Sequence, residues 1–365
     1  MMTKPTVLGM IATLCLSAAP DMPGAQAISG LVTGADFAAG ANLAEKNVKA
    51  QGTIFLPDDA RRVRAVIVLT ESWPGSERGV YDASGRKQDD ADVPLRLRRP
   101  AGQPAEPDLA VGRFRDQAWR RLADACECAL LHLRLGTIRP EADAVLAANG
   151  MVIHSGISNR VIRTAAEGGA EALLVILQRL GQDSAHKELK DAPLLFWGWS
   201  AAASFGTTFA EIYPERTVAL IRYHSHLRGL SPNLKVLKNI PALLIAGGKD
   251  EIAGTEDAET LWKSARSAGA PWTFAIEPAA AHGSEDSFVS SQALMLPWIA
   301  AVIRQRLAPG MTRLRPIAND SGWLGQNDNG EIAPYATFAA PRERASWLPD
   351  EFAARGWQIV VRGHP

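Results

Sequence analysis

The chain has 365 residues, of which 47% are hydrophobic and 21% are charged. Its 39 basic and 39 acidic residues cancel, and no basic stripe with interleaved aromatic residues occurs in the sequence. This balance excludes the charge excess with which nucleic-acid-binding proteins hold phosphates, so we expect no nucleic-acid partner. Length and apolar content predict a globular protein with a large core, in one large domain or two small ones.

The N-terminus has the pattern of an export signal. Lys4 supplies a positive start, residues 7–19 are apolar but too short to span a bilayer comfortably, and residues 25–27 (Ala-Gln-Ala) form a small-residue cleavage pattern. An uncleaved anchor and a random apolar terminus are the alternatives. We therefore expect a signal peptide at 1–27, cleaved near Ala27, a periplasmic or secreted location, and no membrane span in the mature protein.

Two cysteines, Cys126 and Cys128, follow the predicted signal. A disulfide between residues only two apart would be strained. We therefore expect two buried thiols near a helix-to-strand junction, with a metal or redox role as the alternative. The fold is expected not to depend on disulfides even in an oxidising compartment.

Downstream of the signal, apolar runs alternate with segments of helical spacing. Strands are predicted at 52–56, 64–70, 129–135, 194–199, 218–223, 242–246 and 272–276, and helices at 116–127, 161–181, 200–212, 255–268 and 290–307. This alternation predicts an α/β fold with a mainly parallel central sheet and helices on both faces. Residues 28–50, which are rich in Gly and Ala, are predicted to pack loosely.

The pattern divides the mature chain into a main domain at 28–308 and a Trp-rich C-terminal extension at 309–365. Residues 76–116 and 136–160 interrupt the alternation and are predicted to be insertions or cap loops. The tryptophans of the extension could line a binding surface or dock the extension onto the core, and docking is the interpretation we favour.

The strand predicted at 194–199 ends in the sequence Gly198-Trp199-Ser200-Ala201-Ala202, where a sharp turn leads into a helix. A serine at such a corner has its hydroxyl exposed at the sheet edge, near the positive end of a helix, which is where hydrolases place a nucleophile. The usual pattern is Gly-x-Ser-x-Gly, and Ala202 occupies the last position. A helix N-cap serine is the alternative.

A nucleophilic serine needs a base, and the base needs a group that orients it. Asp250 follows the strand at 242–246 in a glycine-containing turn, and His282 follows the strand at 272–276 between small residues. Open parallel sheets place their sites at the carboxyl ends of strands, so all three residues are expected at one edge. Glu251, Glu285 and Asp286 compete with Asp250 for the acid, and a surface-loop histidine is the alternative for His282.

The order Ser200, Asp250, His282, each at a strand end, resembles the α/β-hydrolase superfamily over residues 52–307. Within it the chain looks most similar to secreted esterases and depolymerases and to the dienelactone-hydrolase-like branch. In the dienelactone-hydrolase-like branch the nucleophile is usually cysteine, whereas here it would be serine. The resemblance implies an α/β-hydrolase fold, a nucleophilic Ser200, a base at His282 and an orienting carboxylate at Asp250. It implies no cofactor.

The same resemblance implies two backbone N–H groups that bind the oxyanion. One is assigned to Ala201, directly after the nucleophile. The other is expected in the loop after the strand at 64–70, at Ser72 or Trp73. Proteins of this fold often carry His-Gly in that loop, and this chain does not.

His224 and His226 are the strongest competing feature, because two histidines two apart on a strand end point to the same side and could bind a metal. Neither a carboxylate cluster nor a third histidine lies at a persuasive spacing, so no metal is expected. Together with Trp199, these histidines are instead candidate pocket residues.

The main hypothesis is an exported serine hydrolase that cleaves a carboxylic ester, of a small molecule or a polymer, through an acyl-enzyme. A serine peptidase, a non-catalytic binding protein on a hydrolase scaffold, and a metal-dependent hydrolase built on the two histidines are the alternatives. The sequence carries no signal for an oligomeric state.

Overall fold

The computed structural model describes residues 32–58, 60–72, 79–81, 109–137, 145–146, 152–154, 165–227, 230–282, 285–308, 313–318 and 320–363. The predicted signal peptide and most of the two predicted insertions lie outside these ranges. Within them, no helix has both the length and the apolar content that a bilayer crossing requires.

An eight-stranded sheet forms the centre of the protein. The strands in chain order are β1 (Gly34–Leu43), β2 (Val48–Pro57), β3 (Ala65–Ser72), β4 (Gly79–Tyr81), β5 (Cys128–Thr137), β6 (Val145–Leu146), β7 (Val152–His154), β8 (Leu194–Trp199), β9 (Thr217–Tyr223), β10 (Ala242–Gly247), β11 (Trp272–Glu277), β12 (Trp323–Gln326), β13 (Glu331–Pro334) and β14 (Ser346–Leu348). The central sheet has the order β1-β2-β5-β3-β8-β9-β10-β11, while β4-β7-β6 and β13-β12-β14 form two small sheets. In the central sheet β2 is antiparallel to both β1 and β5, and all the other neighbouring strands are parallel to each other.

Helices cover both faces of this sheet. They are α1 (Leu109–Arg115), α2 (Gln117–Ala125), α3 (Gly169–Asp183), α4 (Ala203–Ile212), α5 (Leu234–Leu237), α6 (Glu256–Ser267), α7 (Glu285–Arg306) and α8 (Glu351–Arg362). Apolar residues of α3, α4 and α6 share one core with the sheet, and those of α1, α2, α7 and α8 share the other. The predicted α/β-hydrolase fold, with its mainly parallel sheet and helices on both faces, is confirmed.

Strand alternation explains why the sheet has two cores. Along β3, Val66 and Val68 point into one core, whereas Ile67 and Leu69 point into the other. Because both faces are covered, such strands are continuous apolar runs, and this is why the sequence predicted them well.

The prediction that residues 28–50 pack loosely is wrong for the part that the structure describes. Residues Gly34–Leu43 form β1, which pairs along its whole length with β2, itself longer than predicted. Most β1 side chains are small and at least partly exposed, so the strand has no apolar alternation to reveal it. Its order comes from backbone hydrogen bonds to β2.

Two further boundaries differ from prediction. The helix expected at 161–181 begins at Gly169, because Gly168 has φ +101° at its N-cap and follows a separate 3₁₀ turn. The end of the predicted insertion at 76–116 is a helix, α1, whose Phe114 is buried in the core. The next helix begins as predicted, since Asp116 caps it by accepting a hydrogen bond from the N–H of Ala118 at 2.6 Å.

The C-terminal extension docks onto the sheet at β11, the edge strand. The N–H of Phe274 donates to Ser346 Oγ at 2.9 Å, and Trp357 Nε1 donates to the Phe274 carbonyl at 2.7 Å. Trp347 and Trp357 are buried, as the docking interpretation requires. An edge strand exposes unpaired backbone groups, so these side chains also protect β11 from pairing with another chain.

Both cysteines of the main domain are free and buried, at the junction of α2 and β5 as expected. Burial raises the pKa of Cys126 to about 11 and that of Cys128 well above its ordinary value.

We therefore predict that neither thiol reacts with a disulfide reagent at pH 8 in the folded protein, because the reactive form is the thiolate. The measurement is thiol titration of a Cys15→Ser variant, which removes the cysteine of the predicted signal, with and without denaturant. Two thiols should react after unfolding. Rapid reaction of either thiol without unfolding would contradict the prediction.

Candidate active site

Ser200 lies at the corner between β8 and α4, with a backbone φ of +52°. This left-handed conformation is unusual for a residue with a side chain and marks a strained turn. The turn needs glycine two residues earlier, because a Cβ on Gly198 would lie 2.6 Å from the backbone nitrogen of Ala203. The corner therefore has the geometry expected of a nucleophile elbow.

Ala202, which replaces the usual last glycine of the elbow, is accommodated within a buried 3₁₀ turn that precedes α4. The close approach of helix and strand occurs one turn later. A Cβ on Gly206 would lie 2.5 Å from Phe196 Cβ, so glycine at that position lets α4 pack against β8. The departure from the usual pattern at Ala202 is therefore structurally tolerated.

The structure brings Ser200, His282 and Asp250 into one hydrogen-bonded chain. Ser200 Oγ and His282 Nε2 are 3.1 Å apart, and His282 Nδ1 and Asp250 Oδ2 are 2.8 Å apart. In the tautomer with a proton on Nδ1, His282 donates to Asp250 and accepts from the Ser200 hydroxyl. A base oriented in this way can remove the proton of the hydroxyl.

The turn that carries Asp250 is hydrogen-bonded to the loop that carries His282. The N–H of Gly248 donates to the Glu277 carbonyl at 2.8 Å, and the N–H of Lys249 donates to the Ala280 carbonyl at 2.9 Å. These bonds connect β10 and β11 beyond their carboxyl ends. They set the distance between the acid and the base.

Among the acids that compete for His282, the structure places Asp250 on the imidazole. Glu251 is exposed in the turn that follows. The side chains of Glu285 and Asp286 lie outside the described part of the chain.

Asp250 is arranged to remain ionised. Its Oδ1 accepts the N–H groups of Ile252 at 2.9 Å and Ala253 at 2.8 Å, while its Oδ2 faces His282. Burial acts to raise the pKa of Asp250, but the hydrogen bonds from His282 and from the two backbone N–H groups outweigh burial and lower it.

This lowered pKa predicts a loss of stability in acid. A carboxylate whose folded-state pKa lies below the unfolded value of about 3.9 contributes fully above that value, and the contribution disappears as the pH falls through the folded-state pKa. The stability difference between wild type and Asp250→Asn should therefore shrink below about pH 4. Urea unfolding at several pH values measures it. Asp328→Asn, at an exposed residue, is the control. The prediction would be contradicted if the stability difference between wild type and Asp250→Asn varied with pH no more than the difference measured for this control.

Trp199, a candidate pocket residue, contacts the base. Its ring centroid lies 5.0 Å from that of His282, with the ring planes tilted by 36°. The indole therefore limits how the imidazole can rotate, in addition to the bond from Asp250.

The oxyanion donors are only partly described. Ala201 is the second residue of the 3₁₀ turn that begins at Ser200, and N–H groups at the start of a helical turn have no carbonyl within the turn to accept them. Ser72 is the last residue of β3, whose Thr70 pairs with Gly198 of β8, so the backbone of β3 ends beside the elbow. The side chain of Ser72 and all of Trp73 lie outside the described residues.

His224 and His226 are both buried, and His224 is fully buried behind Asp250. His224 Nε2 lies 2.9 Å from Glu277 Oε2, and its Nδ1 lies 3.8 Å from Asp250 Oδ2. Within the described ranges, no group of three or more His, Cys, Asp or Glu side chains is placed to hold a metal ion.

Two charged residues beside the site were not predicted from the sequence. Arg222 of β9 lies beneath the elbow and donates from Nη1 to the Ala203 carbonyl at 3.2 Å and to Thr207 Oγ1 at 2.7 Å. Glu277 ends β11 and accepts from Tyr223 Oη at 3.1 Å as well as contacting His224. The sequence did contain a signal for both residues, since each is a charged residue in an otherwise apolar strand. Such a residue indicates a buried partner.

No protein-family model matches the sequence, and no curated protein matches it. Solved structures with a similar architecture include a thermostable esterase, at 17% identity and a TM-score of 0.44, over 70% of this chain and 59% of that protein. An S-formylglutathione hydrolase of Staphylococcus aureus matches 74% of this chain and 97% of its own at 10% identity and a TM-score of 0.45. A ferulic acid esterase matches 75% of this chain and all (100%) of its own at 12% identity and a TM-score of 0.43.

The match to the thermostable esterase spans less than two thirds of that protein. All three TM-scores are below 0.5 and all identities are below 25%, so these likenesses concern the architecture alone. The chemistry of the site is inferred from this chain's own residues.

Proposed function

We propose that this protein is an exported serine hydrolase that cleaves a carboxylic ester through an acyl-enzyme. One observation carries the proposal: Ser200, His282 and Asp250 form a continuous hydrogen-bonded chain at the carboxyl ends of parallel strands. Open α/β sheets bind their substrates at this edge. The strained φ of Ser200 adds support, because strain of this kind clusters at functional sites.

In the acylation step, His282 Nε2 takes the proton of the Ser200 hydroxyl while Oγ bonds to the carbonyl carbon of the ester. Asp250 holds the imidazole and stabilises the positive charge that forms on it. The tetrahedral intermediate collapses by breaking the bond to the alcohol oxygen, and His282 returns its proton to that oxygen. In the second step His282 takes a proton from water, whose oxygen bonds to the carbonyl carbon of the acyl-enzyme. The bond to Ser200 Oγ then breaks, His282 returns the proton to Oγ, and the carboxylic acid leaves.

Negative charge develops on the carbonyl oxygen in both steps. We assign one donor of this oxygen to the N–H of Ala201, which lies at the start of the turn. The second donor is proposed at Ser72, the last residue of β3, or at Trp73. Removal of one such donor typically costs about 100- to 1000-fold in rate, so these donors contribute substantially to the proposed catalysis.

A serine peptidase is the second candidate function, since Ser200, assisted by His282 and Asp250, can also attack the carbonyl carbon of an amide. The discriminating experiment is a panel of matched p-nitrophenyl esters and p-nitroanilides with the same acyl groups. Turnover of the esters with little turnover of the anilides supports the esterase proposal. Preferential turnover of the anilides would replace it with the peptidase.

The nucleophile is tested by labelling with a fluorescent fluorophosphonate. Wild type should be labelled, Ser200→Ala should not, and the matched control Ser204→Ala should be labelled as wild type, because Ser204 is buried in α4 close to the elbow. Labelling of Ser200→Ala equal to wild type would refute the mechanism. Chelators should leave activity unchanged, and a loss of activity with EDTA would favour a metal-dependent hydrolase.

Export is proposed from the pattern of residues 1–27. The test is fractionation of cells that express the full chain, followed by N-terminal sequencing of the product. Export is supported by a product that begins near Ile28 outside the cytoplasm. A full-length product that stays in the cytoplasm would contradict it.

A further inference from the structure

A second polar chain continues from Asp250 away from Ser200. Asp250 Oδ2 is shared by two imidazoles: His282 Nδ1 lies 2.8 Å from it and His224 Nδ1 lies 3.8 Å from it. On the far side, His224 Nε2 lies 2.9 Å from Glu277 Oε2. Five side chains therefore follow one another in a chain. They are one hydroxyl, two imidazoles and two carboxylates, in the order Ser200, His282, Asp250, His224 and Glu277.

The position of His224 is closely determined. It follows β9 with φ +45°, so it is a second strained residue at the same sheet edge as Ser200. Its ring stacks on Tyr223 at a centroid distance of 4.1 Å and an interplanar angle of 16°. Gly247 leaves room for it, because a Cβ there would lie 3.0 Å from His224 Cε1 and 3.1 Å from Asp250 Cβ.

Hydrogen-bond chemistry indicates which protons His224 carries. Glu277 Oε2 also accepts from Tyr223 Oη at 3.1 Å, so it acts as an acceptor and His224 Nε2 carries the donated proton. The other nitrogen, Nδ1, faces a carboxylate oxygen of Asp250, which attracts an N–H and repels a lone pair. Nδ1 makes no hydrogen bond among the described residues, and at 3.8 Å from Asp250 Oδ2 it forms an ion pair with that carboxylate only when both ring nitrogens are protonated.

The buried charges agree with this assignment. Asp250 and Glu277 are buried carboxylates, and uncompensated buried charge is costly. Arg113 of α1, above the Tyr223 ring at 5.0 Å, is a positive charge that interacts with Glu277. Among the side chains described around this cluster, a positive charge on His224 balances the second carboxylate.

We propose that His224 is a positively charged positioning residue, held by Glu277, that orients the Asp250 carboxylate and thereby the base His282. This inference rests on the proposed function for its kinetic consequence but not for its structural content. His224 touches neither the Ser200 hydroxyl nor the reacting atoms. It acts by holding Oδ2 of Asp250 where His282 can donate to it.

The kinetic test is His224→Asn, since asparagine tolerates the left-handed backbone and is neutral at all relevant pH values. We expect kcat to fall about 10- to 100-fold with KM within about twofold, because small misplacements of catalytic groups cost rates of this order. Loss of a positive charge near Asp250 should also stabilise protonated His282, so the acid limb of the kcat/KM profile should move to higher pH.

His132→Asn is the matched control, because His132 is a buried histidine on β5 outside this chain of residues. The control should lower thermal stability without moving the pH profile. A His224→Asn variant with wild-type kcat, or with an unmoved acid limb, would overturn the proposal. Glu277→Gln is the second variant, and it should reduce kcat in the same direction because it removes the charge that holds the His224 proton.

The protonation state is tested without any activity. The ¹⁵N spectrum of histidine-labelled Ser200→Ala protein should show both nitrogens of His224 protonated at pH 7, with the signals assigned by their absence in His224→Asn. A neutral imidazole would overturn the proposal, whether or not wild type reacts with fluorophosphonate. Failure of fluorophosphonate labelling together with a doubly protonated His224 would instead reject the proposed function alone.

Discussion

Ser200→Ala is expected to lower kcat for ester hydrolysis about 10⁴- to 10⁶-fold while the protein remains folded. The alanine removes the only atom that can bond to the carbonyl carbon in the proposed mechanism. It should leave the turn intact, because the close approach of Gly198 to Ala203 does not involve the side chain of residue 200. Circular dichroism and the urea midpoint should match wild type within the effect of one partly buried hydroxyl.

The same mechanism predicts that the losses do not add. His282→Ala alone should cost about as much as Ser200→Ala, and the double variant about as much as either one, because the two side chains act as a unit. Steady-state rates of the three variants on one p-nitrophenyl ester measure this. Additive losses, or His282→Ala within tenfold of wild type, would show that the imidazole does not serve Ser200.

Trp357→Ala is expected to lower the free energy of unfolding by about 3–5 kcal/mol, the usual cost of removing a large buried aromatic side chain. Trp357 on α8 is fully buried, and its ring lies over Gly325, where a Cβ would come within 2.6 Å of it. Its Nε1 also donates to the carbonyl of Phe274 on β11, so the ring joins the extension to the central sheet.

Urea unfolding of two companion variants separates the contributions. Trp357→Phe keeps most of the ring but loses the hydrogen bond to the Phe274 carbonyl. That carbonyl still accepts from Ser346 Oγ and Asn327 Nδ2, so the loss should cost about 0.5–1.5 kcal/mol. Ile359→Ala is the matched control on the same helix, because Ile359 is 40% exposed, and it should change stability by no more than about 0.5 kcal/mol. A Trp357→Ala variant as stable as this control would mean that the extension is not part of the folded core.

The apolar strands and the elbow could be predicted because their signals are local. A strand buried on both faces must be a continuous apolar run, as 194–199 is, and a tight strand-to-helix corner must have glycine where a Cβ would meet the helix. β1 could not be predicted, since its small, exposed side chains carry no periodicity and its order comes from pairing with β2.

The role of Gly206 was also beyond the sequence. Ala202 departs from the elbow pattern, and only the packing of α4 on β8 shows that a later glycine makes the close approach. The tryptophans of the extension likewise allowed two interpretations until their burial against β11 separated them.

The sequence by itself determined the α/β architecture, the corner at Ser200 and the order of Ser200, Asp250 and His282, because each depends on neighbouring residues and on strand ends. Only the tertiary structure decided that Asp250 rather than Glu251 meets the imidazole, and that His224 and Glu277 lie behind it. These residues come from separate strands and meet because the parallel sheet aligns the strand ends. Contacts of this kind depend on distances across the sheet, which spacing along the chain does not encode.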